Sequence, residues 1–81
     1  MRYACPCCQY LTLGEKPPGT YDICPICFWE DDDVQFSDPT YAGGSNSVSL
    51  EQAKQNFLNY GAIDQKSIHY IRKPLKEEIP D

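Results

Sequence analysis

The chain has 81 residues, a formal net charge of −5 and five cysteines. A chain of this length forms one domain. So small a domain buries little apolar surface and often needs additional stabilisation, for example from a bound metal ion or disulfide bonds. The negative charge argues against a partner that is held mainly through phosphate contacts. No segment is apolar for long enough to cross a membrane, and the start of the sequence lacks the apolar run of a signal peptide. We therefore expect a cytoplasmic protein.

Two Cys-x-x-Cys pairs are the first informative feature along the chain. Zinc(II) binds four ligands tetrahedrally at about 2.3 Å from each sulfur, and two intervening residues let one tight turn present both sulfurs. We call such a turn a knuckle. A proline follows the first cysteine of each pair and fixes φ at about −65°, which favours the turn. The spacing predicts one structural zinc ion bound by four cysteines: Cys5, Cys8, Cys24 and Cys27.

Disulfide bonds are the alternative use of these cysteines, because they often hold small secreted domains together. The odd number of cysteines, their paired spacing and the expected lack of a leader favour metal binding instead. The fifth cysteine, Cys7, lies between two predicted ligands and is expected to be a free thiol directed away from the ion. A zinc ion with four cysteine ligands has no open position for water, so we expect no enzymatic activity.

Two segments between the cysteine pairs have the composition of β-strands, residues 10–13 and residues 20–23. Residues 14–19 contain two prolines flanked by glycines and predict the turn between them. The predicted architecture is a zinc ribbon, a β-hairpin that carries the two knuckles. Many knuckles have glycine after the second cysteine, where a positive φ lets N–H groups point at sulfur, but Gln9 and Phe28 stand here.

An acidic run of four residues follows the second pair: Glu30, Asp31, Asp32 and Asp33. No lysine or arginine occurs from Pro17 to Ala53. One interpretation of the run is a solvated loop. The other is a recognition surface for a basic partner, because charge of one sign steers association. Phe28 and Trp29, which precede the run, are expected to fill the core.

The clearest helical pattern lies between Ser49 and Gly61. Ser49 is a favourable N-cap, Gln52 stands three residues later as in a capping box, and Gly61 suits the left-handed residue that ends a helix. An apolar stripe on this helix is expected to pack against the ribbon: Leu50, Ala53, Phe57 and Leu58.

The remainder of the chain has a weaker pattern. Asp64 is a candidate cap for a short second helix, and a strand at residues 67–71 fits nearly as well. His69, the single histidine, is expected to pack rather than bind metal, since four cysteines complete a zinc site. Residues 75–81 have the charge and proline content of a flexible tail. The sequence thus predicts a small α+β domain over residues 1–74 that is stabilised by a bound metal ion.

Several of these motifs occur together: Cys5-Pro6-Cys7-Cys8, the run from Cys24 to Asp32, Gly43-Gly44-Ser45-Asn46, Ser49-Leu50 and Asn56-Phe57. The combination resembles the bacterial cysteine-rich CPCC family, and the similarity runs from about Ala4 into the region of Arg72 to Pro74. The resemblance implies a small bacterial zinc-ribbon-like domain. It implies no particular activity.

We expect a protein-interaction module whose acidic surface, residues 30–33, binds a protein partner such as a toxin that it neutralises. A thiol–disulfide redox protein is one alternative, because Cys5 to Cys8 contain the Cys-Pro-x-Cys of thioredoxin-like sites, although the βαβ pattern of that scaffold is lacking. A nucleic-acid-binding zinc ribbon is the other. It has a weak basic footprint near the carboxyl end: Lys66, Arg72, Lys73 and Lys76.

Overall fold

A computed structural model of the chain describes residues 2–80. Over these residues, two β-strands, two α-helices and two 3₁₀ helices form a small α+β domain. In chain order they are β1 (Tyr3–Ala4), β2 (Leu11–Leu13), α1 (Asp33–Ser37), α2 (Leu50–Tyr60), and the 3₁₀ helices Lys66–Tyr70 and Lys76–Glu78. No helix in this part of the chain is long and apolar enough to span a membrane.

Strands β1 and β2 pair in antiparallel fashion on either side of the first cysteine pair, with Tyr3 opposite Leu13. The prediction that residues 10–13 pair with residues 20–23 is therefore wrong. Within the described chain, residues 20–23 form no strand, and only Ile23 makes an isolated bridge, to Glu30. The reason is local: each knuckle folds the chain back on itself, so the segment that enters a knuckle pairs with the segment that leaves it.

Helix α1 occupies a stretch in which the sequence analysis identified no helix. Asp32 is its N-cap, and one carboxylate oxygen accepts hydrogen bonds from the backbone N–H groups of Val34 at 2.8 Å and Gln35 at 3.2 Å. The spacing Asp32-x-x-Gln35 is a known start signal for helices and would have revealed it. The acidic run is thus partly a helix cap and not only a solvated loop.

Helix α2 begins and ends where the sequence predicts. The Ser49 hydroxyl accepts a hydrogen bond from the backbone N–H of Gln52 at 3.1 Å, which satisfies a free donor of the first turn. Gly61 ends the helix with φ of 86°, in the left-handed region. The Gln52 side chain donates to Asn56 instead of returning to the N-cap.

The buried face of α2 is narrower than predicted. Leu50 and Ala53 are buried and Phe57 is half-buried, but the Leu58 side chain is 77 % exposed. Placing Leu58 in the core stripe was wrong for a geometric reason. With 3.6 residues per turn, Phe57 returns to within about 20° of the direction of Leu50, whereas Leu58 lies about 80° away.

The core surrounds the knuckles. Trp29 is fully buried, as expected, and Phe28 is half-buried against the core. Besides the cysteines and Trp29, the core cluster contains four buried apolar side chains: Ile26, Leu50, Ala53 and Ile63. The cysteines therefore lie in the core, together with side chains from the second knuckle, α2 and the segment that follows α2.

For the chain after Gly61, the sequence favours a short helix and a strand almost equally, and the structure has a helix. Residues Lys66–Tyr70 form a 3₁₀ helix. The Asp64 carboxylate accepts hydrogen bonds from the backbone N–H and the hydroxyl of Ser67, at 2.8 and 2.6 Å. Asp64 thereby holds the start of this turn, although the N-cap residue is Gln65 and not Asp64 as predicted.

The segment predicted as a tail packs onto the domain through Glu78, while residues 79 and 80 are exposed. The 3₁₀ helix Lys76–Glu78 lies against β2. Glu78 is fully buried, and its two carboxylate oxygens accept hydrogen bonds from the Arg72 guanidinium, each at 2.8 Å. This two-point pairing compensates the buried charge and holds the segment in place. Asp81, the last residue of the predicted tail, lies outside the described residues.

Candidate metal centre

The two knuckles, residues 5–8 and residues 24–27, have the same backbone hydrogen bonds. In the first, the N–H of Gln9 donates to the carbonyl of Cys5, and the N–H of Cys5 donates to the carbonyl of Tyr10, both at 2.9 Å. In the second, the corresponding distances are 2.8 and 2.9 Å, and the residues are Cys24, Phe28 and Trp29. Each knuckle is therefore a turn closed by its own backbone hydrogen bonds.

Gln9 and Phe28 have φ of 70° and 74°, in the left-handed region that favours glycine. The knuckles thus keep the glycine geometry and accept mild backbone strain. In the second knuckle this geometry directs backbone N–H groups at sulfur: Ile26 donates to Cys24 Sγ and Trp29 donates to Cys27 Sγ, each at 3.4 Å. Hydrogen bonds of this kind stabilise the negative charge of a thiolate.

The sulfurs of the four predicted ligands lie within 4.8 Å of one another, and all four cysteines are buried. Sγ of Cys5 is 3.6 Å from Sγ of Cys27, and Sγ of Cys8 is 3.6 Å from Sγ of Cys24. Four sulfurs bound tetrahedrally at about 2.3 Å from an ion would be about 3.8 Å apart. A disulfide bond would require about 2.05 Å, and all five cysteines are free. The four cysteines therefore form a cluster that could bind a metal ion.

Electrostatics also favours a cation among these sulfurs. Hydrogen bonds from the Cys27 thiol, together with one from the Thr12 hydroxyl at 3.1 Å, hold the pKa of Cys24 below its ordinary value. The hydrogen bond with Cys24 in turn raises the pKa of Cys8 and of Cys27. One thiolate is stabilised because its neighbours remain protonated and donate hydrogen bonds to it. A divalent cation bound by all four sulfurs would offset half of the charge of four thiolates.

Cys7 and His69 lie outside the four-sulfur cluster, in agreement with the sequence analysis. Cys7 is buried and borders a cleft that Lys54 and Leu58 also line. His69 is exposed in the 3₁₀ helix Lys66–Tyr70, so the expectation that its side chain packs is wrong. Neither residue is needed to complete a tetrahedral ligand set.

Only part of the acidic run faces solvent. Asp33 is exposed and Glu30 is half-buried, whereas Asp31 and Asp32 are buried. One carboxylate oxygen of Asp31 accepts hydrogen bonds from the backbone N–H and the hydroxyl of Thr20, at 3.0 and 2.8 Å. The expectation that all four side chains form a partner-facing surface is therefore wrong for Asp31 and Asp32, whose carboxylates act inside the fold.

The buried Asp32 also holds the loop that follows α1. Its second carboxylate oxygen accepts from the backbone N–H of Ser45 at 2.8 Å, and this hydrogen bond lowers the pKa of Asp32. The Gln35 side-chain oxygen accepts from the backbone and side-chain N–H groups of Asn46 at 3.1 and 2.9 Å. A Cβ atom at Gly44 would lie 2.6 Å from the Gln35 side chain. Gly44 therefore lets this loop approach Gln35 closely, and the glycine-rich motif has a structural role.

The structure adds little support to the two alternative functions, a thiol–disulfide redox protein and a nucleic-acid-binding zinc ribbon. Residues 2–80 contain one two-stranded antiparallel sheet, which is not the βαβ unit of thioredoxin-like enzymes. Among the basic residues near the carboxyl end, Arg72 is paired with Glu78 at 2.8 Å, which reduces the charge that this set offers to phosphates.

The family model described as cysteine-rich CPCC matches residues 3–78. The matched region includes both knuckles, both α-helices and the buried Glu78. No curated protein sequence matches the chain. Because the family model covers nearly the whole sequence, the chain belongs to the cysteine-rich CPCC family.

Proposed function

We propose that the four-sulfur cluster binds one zinc ion with a structural role, in a zinc-ribbon-like domain. The observation that supports this most is the 3.6 Å separation between sulfurs of different knuckles, close to the edge of a zinc–thiolate tetrahedron. Thiolate ligands favour zinc over magnesium or calcium, which prefer oxygen. When bound, the ion offsets half of the charge of the four thiolates and links the two knuckles. With four protein ligands it has no position for a substrate, so we propose no catalytic activity.

Elemental analysis of the purified protein tests this proposal, and one equivalent of zinc per chain is the expected result. Zinc-binding free energy on the order of 10 kcal/mol becomes folding free energy in small zinc domains. Cys24→Ser is therefore expected to lose the metal and unfold most of the chain, which far-ultraviolet circular dichroism would detect. A folded protein without metal, or one with iron in place of zinc, would contradict the assignment.

We further propose that the folded domain is a protein-interaction module in a reducing compartment such as the cytoplasm, where thiols stay available for metal. With Asp31 and Asp32 buried, the surface that remains for a basic partner is the α1 surface, which we define as Asp33, Val34, Phe36 and Asp38. All four side chains are exposed. Exposed apolar groups beside acidic ones suit a basic partner that also contributes an apolar anchor.

Affinity capture with zinc-loaded protein from an extract of the source organism tests the α1 surface. The double variant Asp33→Lys, Phe36→Ser should lose a partner that the native chain retains, while its zinc content stays at one equivalent. Glu15→Lys is the matched control, because Glu15 is exposed and lies outside α1. A partner that binds the native chain and the double variant equally would refute this surface without affecting the zinc proposal.

A further inference from the structure

A cleft of about 390 Å³ lies where four parts of the domain meet: the end of the first knuckle, the second knuckle, the end of α2 and residues 71–74. Small-molecule sites typically have volumes of about 300–1,000 Å³ and mainly apolar walls with a few polar groups. The walls here are largely aromatic and aliphatic: Tyr10, Ile26, Phe57, Tyr60, Ile71 and Pro74. The cleft thus has the size and lining of a site for a small, partly apolar molecule.

The charged residues that line this cleft are both basic, Arg72 and Lys73. Arg72 is held in place by Glu78, which accepts from both terminal nitrogens, and by the carbonyl of Lys73 at 3.1 Å. A guanidinium has five N–H donors, so two remain for another acceptor. Glu78 compensates the charge of Arg72, whereas Lys73 is exposed and has no ion pair among residues 2–80. The cleft of this acidic protein therefore carries net positive charge.

We propose that this cleft binds a small aromatic carboxylate. Its ring would lie among Tyr10, Phe57 and Tyr60, and its carboxylate would meet the ammonium of Lys73 and the remaining donors of Arg72. Tyr10 and Phe57 already pack edge to face with ring centroids 6.2 Å apart, a geometry that can extend to a further ring. Hydrogen bonds between a carboxylate and charged donors are stronger than neutral ones and would fix the orientation.

A second cleft provides an internal comparison. It has a volume of about 340 Å³, includes Lys54 and Leu58, and shares Phe57 with the first cleft. Phe57 is its single aromatic residue, and Lys54 is its single basic residue. A ligand that needs several rings and two neighbouring cationic groups should therefore prefer the first cleft.

The test is a titration of the zinc-loaded full chain with 2-naphthoate, followed by backbone amide chemical shifts. Saturable shifts are expected at Ile26, Gly61 and Ile71, which line the first cleft. Lys73→Glu should raise the dissociation constant about fivefold or more, since an exposed ion pair contributes up to about 1 kcal/mol. Lys16→Glu is the matched control, because it makes the same charge change at an exposed residue outside the cleft and should leave affinity unchanged. The uncharged 2-naphthamide should bind more weakly than 2-naphthoate.

Four outcomes would overturn the proposal: no saturable shift up to the solubility of the probe, shifts centred on Lys54 and Leu58, equal affinity for the carboxylate and the amide, or no effect of Lys73→Glu. The other occupant of such a cleft is the carboxyl-terminal residue of a polypeptide. N-acetyl-Gly-Trp with a free carboxyl group tests it. Tighter binding of this peptide than of 2-naphthoate would also overturn the small-molecule assignment, and weaker binding would support it.

Discussion

The hydroxyl of Thr12 donates a hydrogen bond to Sγ of Cys24 over 3.1 Å, so β2 contacts the second knuckle directly at a sulfur. A donor at this position stabilises the negative charge of a thiolate. Hydrogen bonds to charged groups are stronger than hydrogen bonds between neutral groups. Thr12→Val keeps the shape of the side chain and removes the donor. We expect it to lower the unfolding free energy of the zinc-loaded protein by about 1–2 kcal/mol, measured by urea denaturation.

Thr40→Val is the control for this change. Thr40 is exposed, and its hydroxyl bonds only to Asp38 in the same loop. Its effect should stay below about 0.5 kcal/mol, as for most surface substitutions. Equal losses for the two variants would show that the bond to Cys24 has no special contribution.

The adjacent cysteines Cys7 and Cys8 should behave differently. Cys8 belongs to the four-sulfur cluster and Cys7 does not, although both are buried. Cys7→Ser is expected to retain one equivalent of zinc and the native fold, whereas Cys8→Ser should lose the metal. Zinc content after dialysis distinguishes them. Loss of metal from Cys7→Ser with retention in Cys8→Ser would mean that the first knuckle uses the other sulfur.

Two leucines of α2 test how much of the helix is buried. Leu50 is 3 % exposed and Leu58 is 77 % exposed. Leu50→Ala is expected to cost about 2–4 kcal/mol of unfolding free energy through lost burial and a residual cavity. Leu58→Ala should change it by less than about 0.5 kcal/mol. A large loss for Leu58→Ala would indicate that this side chain is covered, for example by a second protein chain.

The buried Glu78 predicts a specific dependence of stability on pH. The Arg72 guanidinium and the backbone N–H of Leu75 lower the pKa of Glu78 to about 2, from an ordinary value of 4.5. A carboxyl whose pKa is lower in the folded state contributes stability that is complete above its unfolded pKa and disappears as the pH falls through its folded pKa. Glu78→Gln should therefore be less stable than the native chain near neutral pH.

The free-energy difference between the native chain and Glu78→Gln should stay constant from pH 8 to pH 6 and shrink as the pH falls from 4.5 toward about 2. The two chains are compared at each pH at which both retain one equivalent of zinc, because loss of the metal would unfold both. Glu77→Gln is the control, because Glu77 is the exposed neighbour and makes no ion pair among residues 2–80. A difference that rises steadily from pH 6 to pH 8 would rule out this origin.

The four-cysteine cluster and α2 could be predicted from sequence because their signals are local. Two intervening residues suffice to bring the sulfurs of one pair together, and α2 carries its own caps at Ser49 and Gly61. The strand pairing could not be predicted in the same way. The partner of β2 is the two-residue strand Tyr3–Ala4, which is too short for any alternation to be visible.

The acidic run was misjudged because composition does not reveal burial. Charged residues are rarely buried unless they are paired, and Thr20, which bonds Asp31, and Ser45, which bonds the second oxygen of Asp32, lie 11 and 13 residues away. The same applies to Glu78, whose partner Arg72 is close in sequence but could equally have faced solvent. Such pairings depend on tertiary contacts that local patterns do not encode.

Ile26 connects the metal centre with the first cleft. It lies between Cys24 and Cys27, it is buried in the core cluster, and it forms part of the cleft wall. The N–H of Arg72 also donates to the carbonyl of Pro25 at 3.0 Å, so the opposite wall is fastened to the same knuckle. Any molecule that binds the cleft more tightly in the metal-loaded chain must raise the metal affinity by the same factor. Occupancy of the cleft would then determine how well the chain retains its metal against competing chelators.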